Sequence, residues 1–441
     1  MKPQTYIRSI FKNIFFLTVL IFAANALAAG QALTSLDRGR AKDMLNTVKD
    51  TLKKEYYDPT FHGIDLDGRF KKAEEALDGA TTLGQAFGII AQAVLELNDS
   101  HTTFWPPQRT IIVSYGWRWQ MFGEKCFVTS VKPKSDAEAQ GLKPGDEIIE
   151  IEGFKPKRSE MWKVSYYYNV LSPRNGLNVK ILSPGEQKPR ELNIASKITQ
   201  LQANMTMQDL WRQYQFQFDA EELNTFVTIG NTTVWKMRTF SIDPGTIAGI
   251  MNGRSGSNAN LILDLRGNGG GYVVTLEELA GYFVDKDTKI ADLKGRKKMD
   301  PQMAKTKGKD VYRGKLIVLI DSRSASASEI FARFIQLEQR GVVLGDQSAG
   351  AVMQSRGVGL NAGSWSDIPY GMNMTNADVI MTDGRSLEHY GVIPQLVMNP
   401  TGADLASHRD PVLAAALELF GEKMSPEDAG KLFPEKWEKK D

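Results

Sequence analysis

The sequence predicts an α/β protein in which a helical segment and a β-rich segment precede a larger α/β core. Three observations support this prediction. Residues 36–97 place apolar side chains at helical spacing, and residues 111–196 consist of short apolar runs separated by turn residues. From about residue 200 onward, strand and helix patterns alternate, which is typical of a layered α/β core.

We expect four units along the chain. A leader covers residues 1–29, a helical region covers 30–110, a β-rich domain covers 111–196, and the core covers 197–441. In the helical region, one amphipathic stretch runs through Met44, Val48 and Leu52, and another ends at Leu97. A polar loop at 98–103 ends this region.

The leader has the pattern of a secretory signal peptide. Lys2, Arg8 and Lys12 precede an apolar run, and Ala26-Leu27-Ala28 supplies small residues suited to cleavage. The apolar run is short for a bilayer crossing, although a retained anchor is the alternative. We therefore expect an exported protein, periplasmic or extracellular.

Composition excludes some partners and cofactors. Lys and Arg number 54 against 52 for Asp and Glu, so the near-neutral charge gives no sign of a nucleic-acid partner. Cys126 is the single cysteine, which rules out an internal disulfide, so the protein depends on its apolar core. The four histidines lack metal-ligand spacing, and we expect neither a metal nor an organic cofactor.

The β-rich segment carries a specific signature. Gly141-Leu142-Lys143-Pro144-Gly145-Asp146 precedes the strand pattern of Glu147–Ile151 and then Gly153. These residues resemble a PDZ domain, a module that captures a free C-terminus by adding the peptide as a strand. The expected carboxylate-binding loop, near Tyr115–Trp119, is unusually aromatic, so docking or gating is an alternative to peptide capture.

The core contains a serine-rich helix start. The apolar strand Leu316–Ile320 leads into Ser324-Ala325-Ser326-Ala327-Ser328-Glu329. A hydroxyl at such a junction is well placed for nucleophilic chemistry, because the helix N-terminus favours negative charge. Ser326 and Glu329 also match a capping box, and the residues alone leave both interpretations open.

A glycine-rich turn follows another apolar strand, at 264–271. Glycines there let the backbone approach a ligand and can leave N–H groups for an oxyanion. Alone the signal is weak, and its spacing matches neither a dinucleotide fingerprint nor a P-loop.

Together with Gly345–Gly350 and Asp383–Pro394, these motifs resemble peptidase family S41, which includes C-terminal processing proteases and the tricorn core peptidases. The resemblance implies a crotonase/ClpP-like α/β core with an inserted or preceding PDZ domain. It also implies Ser326 as nucleophile, with an oxyanion hole formed by Ala327 and by Gly270 or Gly271.

The general base departs from the better-known branch of that family, which uses a lysine. Ala351 occupies the lysine position, and no lysine lies between Lys315 and Lys423. The pair Ser100-His101 matches the tricorn-like branch instead, which implies His101 as the base, with Ser100 and Glu388 orienting it. His62, His389 and His408 match no motif.

We therefore expect an exported serine-type peptidase that acts on protein or peptide substrates. Cleavage near substrate C-termini, with the free C-terminus recognised by the PDZ domain, is one expectation; the oligomeric state is open. One alternative is a catalytically inactive PDZ-bearing adaptor on the same scaffold. A carrier of small apolar ligands has only fold-level analogy behind it.

Overall fold

The computed structural model describes residues 33–109, 111–200, 223–254, 259–362, 368–434 and 437. The predicted signal peptide, residues 1–29, lies outside the described residues.

The N-terminal region is helical, as the sequence predicts. Thr34 caps the first helix by accepting the Asp37 N–H at 3.1 Å, and Thr82 caps the third in the same way. Their apolar faces pack together and against the strands around Met372 and Met374. The elements are α1 (Ser35–Glu55), α2 (Leu66–Asp78), α3 (Leu83–Leu95) and the short strand β1 (Thr103–Trp105).

The next unit is a five-stranded antiparallel sheet in the order β3-β4-β5-β6-β7. Alternating side chains of these strands, with Leu142 and Tyr168, form a separate apolar core. The strands just before and just after this sheet in the chain, β2 and β8, pair with each other as a two-stranded antiparallel ribbon. The elements are β2 (Ile111–Ser114), β3 (Trp117–Phe122), β4 (Lys125–Val131), α4 (Asp136–Ala139), β5 (Glu147–Ile151), α5 (Met161–Tyr166), β6 (Gly176–Leu182), β7 (Arg190–Ala195) and β8 (Lys197–Gln200).

The core begins with a hairpin, β9 (Asn224–Ile229) and β10 (Thr232–Met237), which turns at Gly230-Asn231. Strand β10 then pairs in parallel with β11 (Asn260–Asp264) after helix α6 (Pro244–Asn252). Helix α7 (Val273–Gly281) follows the glycine-rich turn.

A second core sheet is antiparallel and faces the N-terminal helices. Strand β17 (Ile368–Met381) pairs along one edge with β16 (Met353–Ala362). Its other edge pairs first with β1 and then, nearer its C-terminal end, with β12 (Thr288–Gly295). The sheet also includes β13 (Gln302–Ala304).

The parallel sheet has the order β18-β15-β14-β11-β10-β9. All five residues of its strand β14 are buried, which explains the unbroken apolar run Leu316–Ile320. Helices cover both faces, so the sheet lies between two apolar clusters. The remaining elements are β14 (Leu316–Ile320), α8 (Ala327–Leu337), β15 (Val342–Gly345), β18 (Leu396–Val397), α9 (Gly402–Ala406), α10 (Pro411–Glu418) and α11 (Pro426–Gly430).

The β-rich unit docks onto the core through strand β3 and the turn after it. The Gln120 amide donates to Asp321 Oδ2 at 2.7 Å, and the Ser322 hydroxyl donates to the Met121 carbonyl at 2.5 Å. The Arg158 guanidinium forms an ion pair with Asp346 at 3.0 Å. This interface therefore contacts the loop before helix α8 and the loop after strand β15 (Val342–Gly345).

None of the helices among the described residues combines the length and apolarity that crossing a bilayer requires. Within the same residues, no group of three or more His, Cys, Asp or Glu side chains is arranged to hold a metal ion. Cys126 is buried in the core of the β-rich unit.

Candidate active site

Ser326 lies at a sharp turn between strand β14 and helix α8. Its backbone has φ 54° and ψ −118°, a conformation that few residues other than glycine adopt. Strain of this kind needs surrounding contacts to maintain it. It is the geometry of a nucleophile elbow, which lifts a serine out of the strand end.

The neighbouring serines anchor this turn. The Ser324 hydroxyl donates to the Leu265 carbonyl at 2.8 Å, and the Ser328 hydroxyl donates to the Asn268 carbonyl at 2.9 Å. The Ala325 N–H donates to the same Asn268 carbonyl at 3.0 Å. The alternating serines thus divide their roles: Ser324 and Ser328 are fully buried and bind the glycine-rich turn, whereas Ser326 lines a cavity.

Glu329 fixes the other side of the turn. Its buried carboxylate accepts N–H groups from Ser326, Gly350 and Ala351 and the hydroxyl of Ser348, at 2.5 to 3.0 Å. Burial raises its pKa to about 7, although each of these donors opposes the shift. Glu329 therefore joins the elbow to the segment 348–351.

The predicted oxyanion donors differ in whether their N–H groups are already paired. Among the described residues, neither the Ala327 N–H nor the Gly271 N–H has a hydrogen-bond acceptor. The Gly270 N–H, by contrast, donates to Asn268 Oδ1 at 2.9 Å. Of the two glycines that the sequence nominates, Gly271 is therefore the available donor, and Gly270 is not.

Gly270 serves close packing instead. Its φ is +96°, and a Cβ placed on it would lie 2.7 Å from the Ser326 Cβ and 3.0 Å from the Ala327 N. A side chain at this position would displace the elbow.

His101 reaches the core from the N-terminal region. It follows helix α3 in the loop before β1, and the pairing of β1 with β17 holds that loop against the core. Asp99, also in the loop, accepts the His101 backbone N–H at 2.8 Å and the Thr375 hydroxyl at 2.7 Å. Tyr56 donates its hydroxyl to the same carboxylate at 3.0 Å.

The His101 ring is oriented by a hydrogen-bonded chain. His101 Nδ1 lies 2.8 Å from Ser100 Oγ, and Ser100 Oγ lies 2.8 Å from Glu388 Oε2. Because the one hydroxyl proton of Ser100 is donated to the carboxylate, Ser100 Oγ accepts from Nδ1–H. That arrangement leaves Nε2 unprotonated in the neutral ring, as a general base requires.

Glu388 is itself held by three donors. Besides the Ser100 hydroxyl, it accepts the backbone N–H groups of Ser100 and Val352, each at 2.8 Å. Burial raises the pKa of Glu388, and these hydrogen bonds counteract part of the rise. Burial lowers the pKa of His101 below its ordinary value of 6.5, while the negative charge of Asp99 opposes that shift.

One cavity of about 80 Å³ connects the two sides of the site. His101, Gly271, Ser326 and Ala327 all line it. No direct hydrogen bond joins His101 to Ser326 in this structure, although both side chains line the same cavity.

The other predicted features lie outside this cavity. His389 is exposed and contacts the Asn98 carbonyl at 2.9 Å; His62 contacts the hydroxyls of Tyr56 and Tyr57; His408 is exposed. The Ala351 carbonyl accepts the Ser326 N–H at 2.9 Å, so the lysine-free position adjoins the nucleophile.

Sequence reasoning missed the roles of three buried polar residues: Asn268, Glu329 and Asp99. Asn268 shapes the glycine-rich turn through both its side chain and its backbone. Its position inside the turn was the only available signal, whereas Glu329 was visible as a helix-capping residue. Asp99 accepts the backbone N–H of His101 within the polar loop at 98–103, and that loop pattern was the signal for it.

Comparison with known proteins identifies the two units. The profile of peptidase family S41 matches residues 237–398, and that of the PDZ domain matches 113–166. Over residues 237–398, the chain is therefore similar to peptidase family S41. Among characterised S41 relatives, it is 26% identical over 349 residues to the carboxy-terminal processing protease CtpB of Bacillus subtilis (strain 168), covering 77% of this chain and 65% of CtpB.

Another relative is the tail-specific protease of Haemophilus influenzae (strain ATCC 51907 / DSM 11121 / KW20 / Rd), 25% identical over 276 residues, which are 58% of this chain and 38% of that protein. The chain thus spans less than two thirds of the length of these relatives. The crystal structure of mature CPAF superposes with a TM-score of 0.63 at 15% identity, covering 84% of this chain and 95% of CPAF. The chain therefore shares its fold with that structure.

Proposed function

We propose that this protein is a serine-type peptidase that cleaves protein or peptide substrates with Ser326 as nucleophile and His101 as general base. The proposal rests on the hydrogen bonds that connect Glu388 Oε2 through Ser100 Oγ to His101 Nδ1. His101 lines the cavity that Ser326 also lines. Ser100 and Glu388 act as positioning residues, since they reach the reacting atoms only through the imidazole.

The geometry supports an acyl-transfer reaction in two halves. Ser326 Oγ forms a bond to the carbonyl carbon while its proton passes to His101 Nε2. The negative oxygen is stabilised by the N–H groups of Ala327 and Gly271. The carbon–nitrogen bond then breaks, and His101 returns the proton to the leaving amine. Water repeats these steps on the acyl-enzyme and releases the acid product.

Matched substitutions test this proposal. Ser326→Ala and His101→Asn should each lower the rate of casein cleavage by a factor on the order of 10⁴ or more. His408→Asn is the control, because His408 is exposed and its φ of +52° suits asparagine. Fragments are identified by mass spectrometry after incubation with each purified protein.

The contrary results are equally specific. Equal cleavage by all four proteins would assign the activity to a contaminant and reject the proposed site. An inactive wild type that binds a free C-terminal peptide would favour the adaptor interpretation instead.

Names of relatives suggest the substrates. CtpB is named a carboxy-terminal processing protease, and the Haemophilus protein is named a tail-specific protease. We propose that this protein cleaves near the C-termini of its substrates. We also propose that it is exported across a membrane. The basic and apolar leader pattern within residues 1–29 supports export. Detection of the mature N-terminus outside the cytoplasm would test it.

A further inference from the structure

We infer that the cavity beside Ser326 binds the substrate side chain on the acyl side of the cleaved bond, called P1, and that Gln302 makes it select glutamine or asparagine. The inference rests on the proposed function, because it assigns the cavity to the substrate of that reaction. It goes further by naming the side chain that the site prefers.

The position of the cavity makes it the P1 site. Its wall includes Ser326, Ala327 and Gly271, which would hold the reacting carbonyl. The P1 side chain branches from the carbon directly attached to that carbonyl, so it enters the same cavity. The volume of about 80 Å³ suits a side chain of intermediate size. A cavity that holds a benzene ring measures roughly 150 Å³, so an aromatic P1 residue fits poorly.

About half of the lining residues are apolar, and these accept a methylene stem. Of the described residues that line the cavity, none is Asp, Glu, Lys or Arg, so a charged P1 side chain would be buried without a partner. The apolar lining residues are Val273, Leu276, Ile330, Met353 and Val379.

Gln302 is the one buried residue among the polar residues that line the cavity; His101, Ser326, Gln354 and Ser355 are partly exposed. It lies on β13 with 2% of its surface exposed, and its Oε1 has no hydrogen-bond partner among the described residues. Its Nε2 lies 3.5 Å from Gln354 Oε1, at the outer limit of a hydrogen bond. A buried polar atom without a partner is rare and costs free energy, which a ligand can recover.

A primary amide fits this wall best. Exchanging the oxygen and nitrogen of Gln302 would present a donor instead of an acceptor, and an amide ligand satisfies either form. Glutamine and asparagine also bring an apolar stem and no net charge. Methionine matches the length of glutamine but leaves the Gln302 amide unpaired.

Peptides that differ only at P1 test the inference by catalysis. A casein cleavage site mapped by mass spectrometry is synthesised with Gln, Met, Glu or Phe at P1. The wild type should cleave the Gln peptide roughly 10- to 100-fold faster than the Met peptide, and Glu and Phe peptides more slowly still. Gln302→Met should abolish or reverse the preference of Gln over Met. Gln140→Met, at an exposed position of the PDZ unit, should retain it.

A binding measurement on Ser326→Ala separates this inference from the proposed function. Dye-labelled polyalanine peptides ending in Gln or Met are titrated by fluorescence anisotropy into Ser326→Ala, with and without Gln302→Met. A Gln preference that disappears with Gln302→Met supports the inference even if the wild type cleaves nothing, a result that would reject only the proposed function. A preference that Gln302→Met leaves unchanged, or equal binding of both peptides by Ser326→Ala, overturns the inference while cleavage still stands.

Thermal unfolding distinguishes a selective role from a structural one. Since Gln302→Met removes a buried polar atom that has no partner among the described residues, the midpoint of unfolding should stay the same or rise. A large fall would assign Gln302 to the packing of β13 and contradict its role in selection.

Discussion

His101 shows how neighbouring residues set both the position of a proton and the pH at which it moves. Ser100 and Glu388 place the ring proton on Nδ1, and burial lowers the ring's pKa below 6.5. A lowered pKa keeps the base neutral at mildly acidic pH, where an ordinary histidine would be protonated.

This lowered pKa predicts the acid limb of the pH profile. In the proposed mechanism only neutral His101 accepts the Ser326 proton, so kcat/KM should rise with pH through the folded pKa of His101 and level off. The midpoint should therefore lie below 6.5 in a profile of casein-derived peptide cleavage. His408→Asn should give the same midpoint, and a midpoint above 6.5 would contradict the role of burial.

Glu329 makes a separate prediction about stability. Burial raises its pKa from 4.5 to about 7, so the folded state binds more protons than the unfolded state between these values. Its contribution to the free energy of unfolding is therefore full below pH 4.5 and falls by about 3 kcal/mol as pH rises to about 7.

Urea unfolding of the wild type and Glu329→Gln at several pH values measures this effect. The difference between their free energies of unfolding, wild type minus variant, should decrease across that window. Glutamine also directs an amide N–H₂ at N–H donors, so Glu329→Gln should be less stable than the wild type near neutral pH. A difference that stays constant, or that grows with pH, would show that burial does not raise the pKa of Glu329.

At the scale of elements, local patterns predicted the motifs that sit on single strands and helices. The apolar run Leu316–Ile320 is fully buried, the turn dipeptide Gly230-Asn231 joins two strands, and Asp410 caps a helix with Pro411 at its first position. In each case the signal and the structure lie within a few residues of one another, so tertiary context changes little.

The long hairpin of β16 and β17 was missed because its pattern is weak. Gly357, Gly359 and Gly371 interrupt the strands, and the pairing has a bulge between Gln354 and Ser355. Glycines weaken a strand signal, and a bulge shifts its alternation. This hairpin nonetheless supplies cavity residues, so the substrate pocket could not be predicted from the sequence.

Strand β3 of the PDZ unit carries another element-scale consequence. Its inner edge pairs with β4, and on its outer edge the carbonyls of Trp119 and Met121 accept from Arg323 and Ser322. Those carbonyls are where a captured peptide would pair. The aromatic Trp117 is buried in the PDZ core, which explains why this loop departs from the usual pattern.

Peptide capture on β3 must therefore compete with the loop that precedes Ser326. Ser322→Ala removes one competing hydrogen bond and should strengthen binding of a dye-labelled peptide with a free C-terminus by roughly 5-fold. The titration uses the Ser326→Ala background, and the same peptide with an amidated C-terminus is the control. Unchanged affinity for the free C-terminus would mean that peptide does not pair with this edge.

At the scale of the whole molecule, the site is assembled from three parts of the chain that lie far apart in sequence. His101 comes from the N-terminal helical region, Ser326 from the parallel sheet, and Glu388 from the loop after β17. Sequence motifs nominated each residue, but only tertiary packing brings their loops together. The availability of Gly271 rather than Gly270 likewise depends on a side-chain hydrogen bond that no spacing reveals.

The proposed base, His101, lies in a loop of the N-terminal helical region. Packing of that region should therefore affect activity. Phe104 is fully buried beside the His101 loop and contacts the rings of Phe87 and Tyr370. Phe104→Ala should lower the free energy of unfolding by about 3 to 5 kcal/mol. It should also reduce kcat/KM at temperatures where circular dichroism shows an intact fold, since the loop shifts relative to Ser326.

Leu417→Ala, in helix α10 on another apolar cluster, is the matched control: it should destabilise the protein while leaving kcat/KM of the folded enzyme near the wild-type value. Equal losses of kcat/KM in both variants would show that global stability, and not the packing of the helical region, limits the site.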